Sequence, residues 1–260
     1  MVRMNVLWIF AHPEGRSLSG ALRDEGLRAL SELGHQARVS DLYAMRWNPV
    51  VEAADFGHDP AERLVVSAAS QRAHTAGELS EDIRAEQEKI AWADALIVQF
   101  PLWWYGMPAI LKGWFDRVFV KGFAYGVTDP SGRTLRYGDG RLAGKRAMVL
   151  LTAGAREPSL GPRGINGQVD QLLFPLQHGT LWYSGASVLP PLVVPGADRV
   201  SAEEFRAHAG RLRERLASLP TAEPLPFRRQ NGGDYDEDLV LRPHLAPGRT
   251  GLAVHYAPGT

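Results

Sequence analysis

The sequence contains no cysteine. That excludes a disulfide framework, a Cys-ligated zinc, an iron–sulfur cluster and a thiol nucleophile, so any electrons this chain handles must pass through a bound cofactor. It has no excess charge of either sign, with 29 Lys and Arg against 29 Asp and Glu. Nucleic-acid binders generally carry a basic surplus, so no nucleic-acid partner is expected. Long apolar runs are missing as well. The longest stretch, Ala95 to Leu111, is interrupted by Gln99, Pro101, Gly106 and Pro108, and it falls short of the roughly 20 residues of a membrane span. The run from Val6 to Ala11 lacks the small-residue cleavage pattern of a secretory leader. No membrane span and a cytoplasmic location are therefore expected. The eight histidines show no H-E-x-x-H spacing, and no metal site is expected.

The 260 residues are 45% hydrophobic, enough for a large packed core. Three short runs read as strands buried on both faces: Asn5 to Ala11, Ala95 to Phe100 and Arg146 to Thr152. Two weaker ones, Ala37 to Ser40 and Leu181 to Val188, follow the same alternation. Helical stripes lie between them. They run from Leu18 to Leu33 and close at Gly34, from Glu81 to Ala93 with Ser80 as N-cap, and from Ile110 to Phe119; the last spans Val169 to Leu176, where Pro175 should bend or break it. Alternating strands and helices give right-handed βαβ units. The expected fold is α/β, a flavodoxin-like doubly wound five-stranded parallel sheet with helices on both faces. Residues 41–79 and 123–144 read as long connections. From residue 221 to 260 the chain becomes an irregular extension punctuated by Pro and Gly, expected to pack on the core or on a partner subunit.

In such a sheet, ligands sit at the carboxyl ends of the strands. After the first strand come His12, Arg16, Ser17, Leu18 and Ser19 at a helix start, which suits a phosphate but also an ordinary N-cap. After the third come Pro101, Leu102, Trp103, Trp104 and Tyr105. Three consecutive aromatics between prolines suit a flat ligand, or else an interface cluster. After the fourth, Thr152, Ala153, Gly154 and Ala155 allow close backbone approach, although turn chemistry explains them equally.

The run from Gln99 through Pro101-Leu102-Trp103-Trp104-Tyr105-Gly106 to Trp114-Phe115-Asp116-Arg117-Val118 closely resembles the flavodoxin-like NAD(P)H:quinone oxidoreductases of the DT-diaphorase type. So do His12, Ser40-Asp41-Leu42-Tyr43-Ala44-Met45 and Phe123-Ala124-Tyr125. The resemblance spans roughly residues 4–220 and implies a homodimer with FAD, in preference to FMN, at each interface site. NADH or NADPH donates electrons and a quinone or other aromatic acceptor takes them, by ping-pong hydride transfer. By position, His12, Ser17, Leu18 and Ser19 would hold the pyrophosphate. Pro101 to Tyr105 would line the isoalloxazine, with Thr152, Ala153, Gly154 and Ala155 opposite. Tyr125 would enter the pocket from the partner.

The animal enzymes have a Tyr and a His six residues apart after the fourth strand. Aligning Gly164-Ile165-Asn166-Gly167 places Leu160 and Asn166 there. Asn166 still offers an amide N–H, helped by a helix starting near Gly164. The residues expected to carry the chemistry are Asn166, Gly154 and Tyr125, with Leu160 beside the cofactor. Reduction of azo or nitro aromatics, or a non-catalytic flavin-bound regulatory subunit of a membrane transport system, are the alternative functions.

Overall fold

Strands composed almost wholly of apolar residues are stable only between two layers of helix, and this is the arrangement in the computed structural model, which describes residues 3–258. Gly259 and Thr260, at the end of the extension, lie outside the described residues. The strands are β1 (Asn5–Phe10), β2 (Gln36–Asp41), β3 (Ala95–Pro101), β4 (Arg146–Thr152), β5 (Ser187–Val188) and β6 (Leu192–Val194). All pair in parallel in the order β2-β1-β3-β4, with β5 and β6 sharing the place beyond β4. The helices are α1 (Leu18–Glu32), α2 (Val66–Ala76), α3 (Glu81–Trp92), α4 (Ala109–Val118), α5 (Val169–Leu176) and α6 (Ala202–Ala217).

Side chains alternate across the sheet and so divide the core in two. Leu7, Ile9, Leu96, Val98, Val149 and Leu151 face one side, in a cluster that includes Ala69 of α2, Ile83 and Ile90 of α3, Trp114 of α4 and Leu173 of α5. Val6, Trp8, Phe10, Ile97, Met148 and Leu150 face the other, with Leu22 and Leu30 of α1 and Leu212 and Leu216 of α6. Gly26 is required on α1, because a Cβ there would lie 2.2 Å from the Trp8 ring. Arg213 of α6 reaches back to Glu25 and Glu32 of α1 and ties the two helices together.

The expected doubly wound parallel sheet is present, with three local corrections. The fifth strand is not Leu181 to Val188. Leu181 and Trp182 belong instead to a wide turn, Gln177–Trp182, that continues α5 past Pro175, and the strand itself is split into β5 and β6 by Pro190 and Pro191, which lack the N–H a ladder needs. Segment 41–79 is not all connection, since it contains α2. α6 was not expected from the sequence. The extension packs on the core: the Leu225 N–H donates to Val188 O at 2.7 Å, and Phe227 is buried against Trp182. Among the described residues, no helix is long and apolar enough to cross a membrane.

Candidate active site

Parallel register sets three loops side by side at the carboxyl edge. Phe10 is level with Gln99, and Pro101 with Thr152, so the chain leaves β1, β3 and β4 at one edge of the sheet.

The loop after β1 folds over the start of α1. A Cβ on Gly20 would lie 1.9 Å from the Gly15 carbonyl oxygen, so only glycine permits this approach. Ser17 is the N-cap: its hydroxyl accepts from the Gly20 N–H at 3.1 Å and donates to Glu14 O at 2.6 Å. The N–H groups of Leu18 and Ser19 have no acceptor among the described residues, which leaves two donors at the positive end of a helix. Hydrogen bonds from Arg16 hold the Glu14 carboxyl below its ordinary value, and Arg16 offsets its charge at this position. The His12 ring, fixed by Nδ1 at 3.1 Å from Glu14 N, stands 6.3 Å from the Trp103 ring centre.

The Ser19 side chain is placed differently from the expectation. Its hydroxyl turns inward and lies 2.9 Å from Thr152 Oγ1, with both residues buried. Gln99 donates to Ser19 O at 2.7 Å and accepts from Trp8 Nε1 at 2.7 Å, so this network locks α1 to β3 and β4. Ser19 therefore faces the site only through its main chain, and Thr152 is committed to the sheet, its carbonyl accepting from the Leu102 N–H at 2.8 Å.

The loop after β3 is a tight hairpin. Trp103 and Gly106 exchange both main-chain hydrogen bonds at 3.0 Å, and the two residues between them, Trp104 and Tyr105, have φ of +48° and +61°. That is a two-residue turn of the kind that normally takes Asn and Gly, since a left-handed conformation costs a bulky residue about 1–2 kcal/mol. The strain holds aromatic surface in the open: Trp103, Trp104 and Tyr105 are 42%, 97% and 52% exposed. Pro101 and Leu102 do not join them. Pro101 is buried as the last residue of β3, and Leu102 packs on the core.

The loop after β4 forms the opposite wall. Gly154 is exposed, while Ala153 is buried and its N–H donates to Val194 O at 2.9 Å. Two expectations are corrected here. Leu160 is buried and lines a separate small cavity with Glu157, Val169 and Pro195, and the polar neighbour of Asn166 is Ser159, whose Oγ accepts from Asn166 Nδ2 at 2.9 Å. The helix starts at Val169 rather than near Gly164, so Asn166 lies in the preceding turn, outside the first turn where a helix dipole acts. Tyr105, from the facing loop, donates to Asn166 Oδ1 at 3.0 Å. Sequence reasoning did not find Ser159. It sits seven residues before Asn166, one further than the spacing used in the alignment.

Within one chain, Tyr125 is not brought to this edge. It follows the far end of α4 and lines a separate cavity of about 210 Å³ with Phe119, Thr180 and Tyr183. No group of His, Asp and Glu among the described residues is placed to hold a metal ion.

Comparison with known proteins agrees with this fold. The model of a family described as flavodoxin-like fold matches residues 4–216. A ribosyldihydronicotinamide dehydrogenase-like protein, traD, from Penicillium crustosum is 46% identical over 235 residues, covering 89% of this chain and 87% of its own. The NAD(P)H dehydrogenase (quinone) 1 of Cavia porcellus is 37% identical over 224 residues, 85% of this chain and 79% of that one. A crystal structure from Klebsiella pneumoniae, named a candidate quinone reductase, superposes with a TM-score of 0.94 at 52% identity, covering 98% of this chain and all of the other. The chain belongs to the flavodoxin-like family, among the relatives of the NAD(P)H:quinone reductases.

Proposed function

We propose that the protein transfers a hydride from NADH or NADPH through bound FAD to a quinone, in two-electron, ping-pong steps. The observation that carries this reading is the pairing of two unclaimed N–H donors, on Leu18 and Ser19, with an exposed aromatic shelf, Trp103 to Tyr105, on the same sheet edge. A dinucleotide-type cofactor needs both, an anion site for its phosphates and a flat apolar surface for its ring. FAD is preferred to FMN on the resemblance to the quinone reductases.

A flavin bound here supplies a centre that accepts and releases electrons in pairs. The residues of this chain do the rest. Leu18 and Ser19 bind phosphate through their main chains, and His12 and Ser17 flank them. Trp103, Trp104 and Tyr105 orient the ring and exclude water from one face. Gly154 borders the other face through its main chain, its missing side chain making room for the Asp198 carboxylate, and Asn166 directs its remaining amide N–H toward the polar edge of the ring.

The active unit is a cytoplasmic homodimer with its site at the interface. The exposure of Trp104 and Ile165, 97% and 96%, supports a covering partner, and Tyr125 would enter the site from that second copy. Residues 1–220 form the flavin-binding unit, and residues 221–260 an extension packed across it.

A steady-state assay of the FAD-loaded protein tests the proposal, with NADH or NADPH as donor and a naphthoquinone or an azo dye as acceptor. Turnover of the quinone with parallel-line kinetics is expected. Faster turnover of the dye would favour the azo-reductase reading. Flavin binding without turnover of either acceptor would favour a regulatory subunit.

A further inference from the structure

Away from the carboxyl edge, the end of α5, its wide turn and the C-terminal extension enclose a cavity of about 350 Å³. Ser187 of β5 is level with Arg146, the first residue of β4, so the segment between β4 and β5 travels back along the sheet. His178, nine residues beyond the start of α5, therefore lies on the order of 13 Å along that helix from its site end.

The cavity is built from rings. Phe174 and His178 stack with centres 4.5 Å apart and planes 15° apart, and Tyr137 lies 5.0 Å from His178. His255 comes from the extension, 5.6 Å from His178, and Tyr235 stacks beside it with its hydroxyl 2.9 Å from His255 Nδ1. Arg228 borders the same space, but Asp234 offsets its charge at 2.5 Å. His178 is nine-tenths buried, and neither of its ring nitrogens has a hydrogen-bond partner among the described residues. A buried polar group that lines a cavity and lacks a partner calls for one.

The geometry points to a second binding site here, for a neutral planar aromatic that carries a hydroxyl group. Stacked rings select a flat ligand. A neutral imidazole has one donor and one acceptor nitrogen, the complement of a hydroxyl group. Burial, with His255 nearby, holds the His178 imidazole down at about 4, so it is uncharged at pH 7. With Arg228 already paired, the cavity offers no unbalanced positive charge to a carboxylate. The inference rests on the cavity alone and not on the reading of the cofactor site.

2-Naphthol is the probe, with 2-naphthoate as its anionic counterpart. Each is titrated into the full chain, with and without FAD, while the imidazole proton NMR resonances are followed after assignment by single His substitutions. Shifts of His178 and His255 with 2-naphthol, an unmoved His12, and weaker binding of 2-naphthoate are the expected result. In His178→Phe, which keeps the stacking on Phe174, 2-naphthol affinity should fall about tenfold while FAD affinity stays unchanged. The inference is overturned if no imidazole responds, if His12 alone responds, if 2-naphthoate binds as tightly, or if His178→Phe binds 2-naphthol like the wild type.

Discussion

The Tyr105 hydroxyl donates to Asn166 Oδ1 at 3.0 Å and so joins the aromatic turn after β3 to the loop after β4. Asn166 in turn donates from Nδ2 to Ser159 Oγ at 2.9 Å, and Ser159 donates to Arg156 O at 2.7 Å. This ordered chain fixes which way the amide faces and leaves one amide N–H unused. A neutral hydrogen-bond donor therefore stands beside the aromatic turn.

Asn166→Ala should slow reduction of bound flavin by NADH or NADPH about tenfold, roughly 1.4 kcal/mol in the barrier. Tyr105→Phe removes only the anchor of the amide and should slow it less. Neither should change stability by more than about 1 kcal/mol, since the bond is solvent-exposed. Stopped-flow traces and thermal melts separate the two effects. Wild-type reduction rates in both variants would remove Asn166 from the site.

Trp104→Gly should stabilise the protein and weaken the site together. The left-handed strain at position 104 is relieved, worth about 1 kcal/mol, while that at Tyr105 remains and the most exposed ring of the shelf is lost. A raised melting temperature with a higher flavin dissociation constant is expected. A lowered melting temperature would mean that Trp104 serves folding.

Arg117 holds the connection after β2 onto α4. It is buried, pairs with Asp55 at 2.6 Å and Asp82 at 2.6 Å, and lies over the Trp47 ring. Arg117→Met leaves Asp55 buried without its cation and should cost about 3–5 kcal/mol in denaturant titrations. Lys112→Met, which breaks the exposed pair with Asp116, should cost less than about 1 kcal/mol.

Stability should fall as the pH drops from about 6.5 toward 4. Burial holds His178 at about 4 in the folded state, below its unfolded value of about 6.5. Above pH 6.5 the ring is neutral in both states and contributes nothing. Below it the unfolded chain takes up a proton that the native state refuses, so stability is lost at up to roughly 1.4 kcal/mol per pH unit. His178→Phe should flatten that slope in denaturation curves measured at pH 7 and pH 5. Part of the slope should remain, because His35, His74 and His255 are lowered by burial in the same direction.

What could be read from the sequence follows from how each element is buried. β1, β3 and β4 are covered on both faces and announce themselves as apolar runs, and α4 shows a broad apolar stripe. α6 buries only Ala209, Leu212 and Leu216, so its pattern is faint; the capping box of Ser201 and Glu204 was the signal that marked its start. α2 buries only Ala69, Ser70 and Ala73 and has no side-chain cap. At the site, the aromatic triplet was legible as chemistry, but its left-handed turn was not, because Trp and Tyr are poor residues for that conformation. Ser19 and Thr152 have hydroxyls that could serve a ligand or each other, and only the fold shows that they meet.

The visible spectrum of the purified protein, titrated with FAD and then given NADH or NADPH without oxygen, tests the cofactor site itself. The expected result is saturable flavin binding at one FAD per chain, followed by bleaching near 450 nm when the nicotinamide is added and recovery on adding a quinone. A protein that takes up neither FAD nor FMN would contradict the assignment of the carboxyl edge as a flavin site.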